Sequence, residues 1–434
     1  MTIQNLYNFY SISSGIEINS KKVKKNSIFF SLKGKKFDGN QFAYEAILNG
    51  AMIAIVDNKK YSLLHKNIFY VKNSLYFLHK LAIYHRFKLI NIPIIAITGS
   101  NGKTTTKELI TSILSKKYEN VHHTKGNFNN HIGIPLTILS MPKNTQISVI
   151  EIGANHEKEI KKMCSIINPD YGYITNFGKA HLEGFKNIKG IIRGKLELYN
   201  FLKKIKKVFI NGDDPIQLIN SIEMNRYIFS EKVNSNPNII IQYLWNKIGL
   251  RSILCIKNIK IVSPLVGDYN LYNIAASITI GIYFKISLKK IKKTIEEFIP
   301  HNNRSQILKK NNIKIIIDCY NANPSSMIKS SLLFFNNKII GNKIAILGDM
   351  LELGNYSEYE HKKIIFYLEK SNINSIFLIG KIFFNTNIQT SDKIIKFFNK
   401  NIFIKQIKNI SFKTDYILIK GSRKNTLESL IPFI

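Results

Sequence analysis

The sequence predicts an α/β protein of about three domains. Its 434 residues compare with roughly 100 to 200 residues in an ordinary domain. Apolar runs of strand length alternate with helical patterns along the chain, which is typical of parallel sheets with crossover helices. Hydrophobic residues make up 45% and charged residues 21% of the chain. That balance indicates a globular protein and excludes a disordered, self-repelling one.

The first domain is predicted over residues 1–90. Short β-like runs at residues 27–32, 52–56 and 68–71 mix there with helical patterns, the longest of which covers residues 74–90. The boundary falls at Asn91-Ile-Pro93, because proline disfavours helix in the residue before it. We therefore expect a small N-terminal α/β domain.

The second domain is predicted over residues 91–300. It opens with the buried-strand pattern of residues 94–98 and continues through strand patterns at residues 147–151, 171–175 and 207–211. Its last helix covers residues 287–298, where apolar side chains recur at helical spacing and leave the lysines on the opposite face. Pro300 follows this helix. We expect a parallel sheet with crossover helices here.

The third domain is predicted over residues 301–434. Strand patterns at residues 313–318, 343–347, 375–379 and 415–420 alternate with helical patterns. Such alternation favours a Rossmann-like α/β domain.

The chain is strongly basic. It has 63 Lys and Arg against 28 Asp and Glu, a net charge of +35, which by itself suggests a nucleic-acid-dependent ATPase. The basic residues are dispersed, however, and Lys, Asn, Ile, Tyr and Phe, all abundant here, have A/T-rich codons. We hypothesise that base composition raised the charge, and we expect solvated lysine faces and no nucleic acid partner.

Cysteine usage and the chain's start bear on its compartment. The three cysteines lie far apart, without disulfide or zinc-ligand spacing. No basic segment followed by an apolar stretch opens the sequence, and no apolar run approaches the ~18 residues needed to cross a bilayer. These observations predict a cytoplasmic protein without membrane insertion, and we take a monomer as the default.

The sharpest local motif is Gly99-Ser-Asn-Gly-Lys-Thr-Thr105. It follows a buried strand and precedes the helical pattern of residues 106–116. Backbone N–H groups and the helix N-terminus can surround a polyphosphate there, while Lys103 approaches the terminal phosphates and the Thr104 hydroxyl ligates magnesium. The usual spacing would need glycine at Ile97, so the loop is a shortened variant, unlike those of ordinary helicases and GTPases. The alternative is a glycine turn without nucleotide chemistry.

Three further residues are candidates near such a site. Glu151 ends a strand pattern, so its carboxylate is expected at the C-terminal edge of the sheet, where open α/β sheets bind ligands; otherwise it is simply solvated. His181 is either a metal ligand or a capping or core histidine. Lys195, by composition alone, is a salt-bridged surface lysine.

Three polar segments fall where loops are expected, at residues 302–306, 318–327 and 347–354. Arg304 could bridge phosphate oxygens, and Asp318 could accept hydrogen bonds from ribose hydroxyls. The alternative for each segment is an ordinary strand-end turn, since Asn-Pro and Gly-Asp form turns readily.

Together these segments resemble the Mur ligase family. The matching motifs run from Asn19-Ser-Lys-Lys-Val23 to Lys420-Gly-Ser-Arg423, so the resemblance covers nearly the whole chain. The most specific motifs are Gly126-Asn-Phe-Asn-Asn-His-Ile-Gly-Ile-Pro135, Tyr320-Asn-Ala-Asn-Pro-Ser-Ser-Met327 and Leu347-Gly-Asp-Met-Leu-Glu-Leu-Gly354.

The resemblance implies an architecture and an activity. The architecture is a small N-terminal substrate domain, a central P-loop ATPase-like domain and a C-terminal Rossmann-like domain that binds the incoming dipeptide and closes on ATP. The activity is ATP-dependent and joins D-alanyl-D-alanine to UDP-N-acetylmuramoyl-tripeptide through an acyl phosphate, the last cytoplasmic step of peptidoglycan precursor synthesis. Another Mur ligase, or a folate polyglutamylating ligase, is the alternative within the class.

The resemblance also implies roles for individual residues. ATP contacts fall on Gly99, Ser100, Asn101, Gly102, Lys103, Thr104, Thr105, Asn273, Arg304 and Asp318. The magnesium ligands that the resemblance implies are Thr104, Glu151, His181 and Lys195. Lys195 matches the lysine that the family carbamylates. Substrate contacts are implied for Ser20, Lys21, Asn321, Asn323 and Asp349, and catalytic roles for Lys103, Lys195, His181 and Arg304. The chain departs from the family pattern at Lys21, Asn40, Tyr269 and Leu196.

Overall fold

The computed structural model describes residues 1–34, 36–203, 206–244, 251–300, 303–335, 341–407 and 414–434. His301 and Asn302 lie outside these ranges, so the predicted start of the third domain and of its first polar segment falls on residues that are not described. Lys35 and Lys204, members of the dispersed basic groups, also fall outside them.

The N-terminal domain is a small α/β unit, as predicted. Strands β1, β2, β5 and β6 form a parallel sheet in the order β1-β2-β5-β6, and β3 pairs with β4 in a hairpin. The elements are α1 Ile3–Ile12, β1 Ile16–Glu17, β2 Ile28–Phe30, β3 Lys33–Gly34, β4 Phe37–Asp38, α2 Ala43–Leu48, β5 Ile53–Val56, α3 Lys59–Ser62, β6 Ile68–Tyr70 and α4 Ser74–Lys88. Buried Phe29, Ala46 and Ala54 belong to its core.

In the central domain, strands alternate with helices as far as β12, and the strands β13 to β16 then follow one another. Its elements are β7 Ile94–Thr98, α5 Lys103–Leu114, β8 Val121–His123, α6 Gly133–Leu139, β9 Ile147–Glu151, α7 Glu159–Ile167, β10 Tyr171–Ile174, α8 Leu182–Phe185, α9 Ile188–Leu202, β11 Lys207–Asn211, α10 Pro215–Ile219, β12 Asn225–Ser230, β13 Ile239–Ile240, β14 Gln242–Leu244, β15 Ser252–Ile256, β16 Ile259–Ser263, α11 Tyr269–Tyr283 and α12 Leu288–Glu296.

Within the described residues, the central sheet has the strand order β13-β12-β11-β10-β7-β9-β8. Every residue of β7 and β9 is buried, as expected for strands covered on both faces. Helix α12 buries Ile291 and Ile295 and exposes Lys289, Lys290 and Lys293. The predicted solvated lysine face is therefore confirmed.

Strands β14, β15 and β16 form a separate antiparallel sheet that the sequence interpretation missed. The β15–β16 hairpin turns at Lys257 and Asn258, both left-handed, with φ of 49° and 63°. Two successive positive φ values are the mark of a tight type I′ hairpin. Without glycine, and in a chain rich in Asn, this turn gives little signal in the sequence.

The C-terminal domain contains a six-stranded sheet in the order β17-β18-β22-β19-β20-β21. Its elements are β17 Gln306–Lys310, β18 Ile313–Asp318, α13 Pro324–Phe335, β19 Lys343–Gly348, α14 Ser357–Glu369, β20 Ser375–Ile379, α15 Lys381–Phe384, β21 Ile394–Phe397, α16 Lys400–Ile407 and β22 Tyr416–Lys420. All neighbours pair in parallel except β17 and β18, which meet at a left-handed Asn311-Asn312 turn. The predicted α/β fold class is confirmed in all three domains.

By packing, the described chain forms two compact units. The first contains Met1–Ala96, Tyr118–Ala154 and Glu159–Gly172, and the second contains Ile97–Lys117, Asn155–Lys158 and Tyr173–Ile434. The second unit thus holds both the glycine loop and the C-terminal domain. No helix in the described part of the chain is long and apolar enough to cross a membrane.

Candidate active site

The glycine loop connects β7 to α5 with the backbone that its glycines allow. Gly99 has a φ of +140° and Gly102 a φ of +82°, conformations that residues with a Cβ rarely adopt. A Cβ on Gly99 would overlap the Thr175 hydroxyl, and one on Gly102 would overlap the Asn273 side chain. Helix α5 begins at Lys103, three residues earlier than the sequence predicted, so its N-terminal amides face the loop.

The segment that follows β10 holds the glycine loop through hydrogen bonds. The backbone N–H of Ser100 donates to the carbonyl of Asn176 at 3.0 Å, and that of Asn101 donates to Asn176 Oδ1 at 3.2 Å. The Ser100 hydroxyl donates to the carbonyl of Gly178 at 2.7 Å. These hydrogen bonds fix the shape of the loop.

The Lys103 side chain turns back over its own loop. Its Nζ donates to the carbonyl of Gly99 at 2.7 Å and to that of Ser100 at 3.3 Å. These oxygens hold the ammonium at the mouth of the loop. A lysine held there is positioned to meet an anion that enters the loop.

A cavity of about 410 Å³ opens beside the loop. Its walls include Thr104, Thr105 and Glu108 from the start of α5, together with Phe298 and Arg304 from the connection to the C-terminal domain. Hydroxyls, a carboxylate and a guanidinium thus face a space next to the loop.

Asn273 supports the loop from α11. Its Oδ1 accepts from the Thr106 hydroxyl at 3.2 Å, and its Nδ2 donates to Asn270 Oδ1 at 2.9 Å. The side chain is buried directly under Gly102. Its geometry shows a structural role beneath the loop, and its implied contact with a nucleotide base remains a prediction.

Glu151 lies in the first unit, at the C-terminal end of β9. The side chain is only 2% exposed, and Oε1 accepts from Asn129 Nδ2 at 2.8 Å. Its backbone N–H donates to the Thr124 hydroxyl at 3.0 Å. The carboxylate is thus fixed by the Gly126–Pro135 motif segment and is not a freely solvated strand end.

His181 lies in the second unit, in the loop before α8, and meets a carboxylate. Its Nδ1 is 2.5 Å from Oε2 of Glu352, which comes from the C-terminal domain. This contact lowers the pKa of Glu352, outweighing the effect of its partial burial. The sequence places Glu352 in the 347–354 motif but indicates no role for it.

Lys195 is buried in α9, at 1% exposure, which contradicts the default prediction of a surface lysine. Its Nζ lies 5.0 Å from the centre of the Phe185 ring, at the end of α8. Because α8 follows His181 directly, Lys195 and His181 belong to the same neighbourhood of the second unit. Among the described residues, no three His, Cys, Asp or Glu side chains form a metal-binding group.

Arg304 stacks on Tyr320. The guanidinium carbon lies 3.7 Å from the centre of the ring, and the Arg423 guanidinium approaches the same ring at 6.0 Å. The buried Nε of Arg304 has no hydrogen-bond partner in the described part of the chain. A guanidinium over an aromatic face at this distance is attracted to the ring, which restrains its position.

Asp318 ends β18 and pairs with Lys420 at the end of the adjacent β22. The Lys420 Nζ lies 2.5 Å from Asp318 Oδ2, which also accepts from the Ser330 hydroxyl at 3.1 Å. Lys420 is almost completely buried. The sequence placed Asp318 at the sheet edge correctly but could not identify its cation.

The residues implied for the dipeptide differ in their surroundings. Asn323 donates to Asn101 Oδ1 at 2.7 Å and so joins the C-terminal domain to the glycine loop. Asn321 is exposed. The Asp349 carboxylate accepts from the backbone N–H groups of Ile382 and Phe383, both at 2.9 Å, and thereby caps α15. Asp349 therefore has a structural role in its loop, and direct contact with substrate remains a prediction.

Ser20 and Lys21 lie in the first unit, in a 3₁₀ turn at Ser20–Lys22 capped by the Asn19 side chain. The Ser20 carbonyl accepts from Asn49 Nδ2 at 3.1 Å. Lys21 is exposed and Ser20 is buried. Asn40, where the family often has histidine, is fully buried and hydrogen-bonded to Ser31, Asp38 and Asp57.

Comparison with known proteins covers nearly the whole chain. Its residues match three family descriptions, "Mur ligase family, catalytic domain" at 13–86, "Mur ligase middle domain" at 97–281 and "Mur ligase, glutamate ligase domain" at 303–423. A UDP-N-acetylmuramoyl-tripeptide–D-alanyl-D-alanine ligase of Bacillus subtilis is 31% identical over 99% of this chain and 95% of its own length. The enzyme of that name from Buchnera aphidicola subsp. Baizongia pistaciae is 35% identical over 98% and 94%.

The chain belongs to the Mur ligase family. A crystal structure of MurF ligase from Thermotoga maritima in complex with ADP superposes with a TM-score of 0.85, at 26% identity, and covers 98% of this chain and 97% of that one. The three-domain Mur ligase architecture predicted from the motifs is confirmed.

In this Mur ligase, sequence interpretation missed the contacts made by the C-terminal domain. Besides Glu352 and Lys420, it missed Lys179, whose backbone N–H donates to the Ser325 hydroxyl at 2.8 Å and whose Nζ lies 2.5 Å from Glu360 Oε1. Glu360 was hidden because it looks like one more charged residue on a helix. Its burial, at 2% exposure, is visible only in the fold.

Proposed function

We propose that the chain is an ATP-dependent ligase that joins D-alanyl-D-alanine to UDP-N-acetylmuramoyl-tripeptide and so completes the peptidoglycan precursor. The observation that carries this proposal is the full-length identity of 31% and 35% to two enzymes of that name. The preformed glycine loop and the adjoining cavity support it independently. Both are features that nucleotide-dependent chemistry requires.

ATP is proposed to bind with its phosphates in the Gly99–Thr105 loop. The loop amides and the N-terminus of α5 face the site, and anions bind well at such positions. Lys103 exchanges its two loop carbonyls for oxygens of the terminal phosphates. Arg304, held by Tyr320 beside the cavity, contacts phosphate from the C-terminal domain. Asn273 and Asp318 are assigned to the adenine and ribose sides.

The residues that the family resemblance assigns to magnesium have suitable donor chemistry. The Glu151 carboxylate and the Thr104 hydroxyl are oxygen donors of the type that Mg²⁺ prefers. Lys195 is assigned as carbamylated, which turns a cation buried beside Phe185 into an anion, and His181 offers a ring nitrogen. When bound, the metal supplies positive charge next to the transferring phosphoryl group.

We propose the two-step reaction that the family resemblance implies. An oxygen of the tripeptide carboxylate attacks the terminal phosphorus of ATP, which gives an acyl phosphate and ADP. The neutral amine of the dipeptide then attacks the acyl carbon, and the tetrahedral intermediate breaks its bond to the phosphate oxygen, so that an amide forms and the proton lost by the amine leaves with hydrogen phosphate. Lys103 and Arg304 stabilise the negative charge of the transferring phosphoryl group, a task of positioning and electrostatics.

The remaining assignments complete the proposal. The domains are 1–90 for the UDP-linked substrate, with Ser20 and Lys21 contacting it, 91–300 for ATP, and 301–434 for the dipeptide. Asn321, Asn323 and Asp349 belong to the dipeptide side. We assign the enzyme to the cytoplasm, because its proposed substrates are cytoplasmic small molecules. We take it as a monomer by default and propose no nucleic acid partner.

Phosphate release with three substrate sets tests the proposal. The purified full-length protein is incubated with ATP and magnesium plus UDP-N-acetylmuramoyl-tripeptide and D-alanyl-D-alanine, or folate and glutamate, or DNA or RNA. We expect release only with the first set and only when both of its members are present. Release stimulated by nucleic acid alone, or by folate and glutamate, would overturn the proposal.

A further inference from the structure

Two strained loops of the second unit meet at His181 and Glu352. His181 has a φ of +54° and Glu352 a φ of +63°, values that are uncommon in residues other than glycine and cluster at functional sites. Besides the side-chain contact of 2.5 Å, the backbone N–H of Glu183 donates to the Glu352 carbonyl at 3.2 Å. The two loops thus meet through both a side-chain and a backbone contact.

The loop that carries Glu352 is fixed to its own domain. Its Met350 N–H donates to His361 Nε2 at 3.0 Å, and its Leu351 N–H donates to the Ser422 hydroxyl at 3.0 Å. Asn425 Nδ2 donates to the Asp349 carbonyl at 2.9 Å. Because of these anchors, Glu352 can reach His181 only when the whole C-terminal domain lies against the central domain.

The contact engages one nitrogen of the imidazole. The buried Nδ1 of His181 has no hydrogen bond of good geometry within the described residues, and the Glu352 carboxylate is the group placed against it. A carboxylate on one ring nitrogen fixes the tautomer and the orientation of a metal-binding histidine. Nε2, with its lone pair, then remains for the metal.

We propose that Glu352 is a positioning residue which, on closure of the C-terminal domain, sets the tautomer and orientation of His181 for magnesium. The inference rests on the proposed function, since it takes His181 as a metal ligand. It means that the metal site is completed by the same domain that brings the dipeptide. ATP is then activated only when the domain that binds the incoming dipeptide is in place.

Glu352 could simply hold the two domains together, without acting on the His181 ring. A second contact between the same domains allows these two roles to be distinguished. Lys179 and Glu360 also join them, through an ion pair of 2.5 Å that does not touch His181. Glu360→Gln therefore weakens closure but leaves the Glu352 carboxylate able to contact the imidazole whenever the domains meet. It is the matched control for substitutions at Glu352.

The first readout is Mn²⁺ affinity, measured by electron paramagnetic resonance on the full-length protein with a non-hydrolysable ATP analogue and the UDP-linked substrate. We expect Glu352→Ala to bind Mn²⁺ about 10 to 100 times more weakly than wild type. Glu352→Gln should lose less, because its amide oxygen still accepts from Nδ1, and it keeps the test available if the alanine variant does not fold. Glu360→Gln, which weakens closure but keeps the Glu352 carboxylate, should weaken Mn²⁺ binding less than Glu352→Ala does.

The second readout is the ¹⁵N spectrum of His181, assigned with a His181→Gln variant. We expect the Nδ1–H form in wild type and its loss in Glu352→Ala. Wild-type affinity and an unchanged His181 spectrum in Glu352→Ala, or equal weakening in Glu360→Gln, would overturn the inference. Product formation by wild type is measured separately, so that failure of the proposed function is recognised on its own.

Discussion

At the scale of single residues, the site is built from polar and charged groups that the fold has already paired. Lys103 is held by two carbonyls of its own loop, Asp318 by Lys420 and His181 by Glu352. Each is thus fixed near the position where an anion, a sugar or a metal is proposed to bind. Pre-positioned groups reorganise little during a reaction, which is the main source of electrostatic catalysis.

Away from the site, a histidine links stability to pH. His122 donates from Nε2 to the Thr137 carbonyl at 2.9 Å, and burial lowers its pKa from 6.5 to about 4. The unfolded chain therefore binds the proton more readily, so the His122 contribution is full above pH 6.5 and declines as the pH falls towards 4. At about pH 5 the loss is roughly 1–2 kcal/mol.

The variant His122→Gln keeps a donor for Thr137 but does not titrate. We expect its midpoint temperature of unfolding to fall by a few degrees less than that of wild type between about pH 7.5 and about pH 5. Burial lowers the pKa of His79, His85 and His361 in the same direction, so both proteins should lose some stability. Parallel pH profiles would contradict the assignment to His122.

At the scale of elements, the β7–loop–α5 unit carries the nucleotide chemistry. Gly102 combines a φ of +82° with close packing of Asn273 beneath it. A side chain at this position must both strain the backbone and displace Asn273, which bonds Thr106 in α5. Loop shape and helix position are therefore coupled through one glycine.

We expect Gly102→Ala to weaken ADP binding at least tenfold, because the overlap with Asn273 opens the loop. Isothermal titration calorimetry measures the change. Gly15→Ala is the matched control, since Gly15 has a φ of +116° with nothing within 4 Å of the added Cβ. Equal ADP affinity in wild type and Gly102→Ala would show that the loop does not bind the phosphates.

The sequence predicted the buried strands more accurately than it predicted the hairpins and the contacts of the site. Strands such as Ile94–Thr98 and Ile147–Glu151 were predicted with their correct bounds, because buried parallel strands form continuous apolar runs. The hairpins at Lys257-Asn258 and Asn311-Asn312 were missed since neither turn contains glycine. Contacts such as Glu352 with His181 were beyond prediction, because they depend on how two domains pack.

At the scale of the whole molecule, the C-terminal domain lies against the glycine loop and the segment that follows β10. Asn323 bonds Asn101, Lys179 bonds Ser325 and Glu360, and Glu352 meets His181. A reaction that uses ATP from one domain and an amine from the other needs such an arrangement. The net charge of +35 then serves at most to attract anionic substrates, in a salt-dependent way.

Transfer of ¹⁸O tests the account's central claim most directly. The tripeptide substrate is labelled with ¹⁸O in its reacting carboxylate and incubated with ATP, magnesium, D-alanyl-D-alanine and the full-length protein. If the carboxylate attacks the terminal phosphate, mass spectrometry will find one ¹⁸O in each released phosphate, in step with formation of UDP-N-acetylmuramoyl-pentapeptide. Released phosphate without label, or phosphate release without the pentapeptide, would contradict the account.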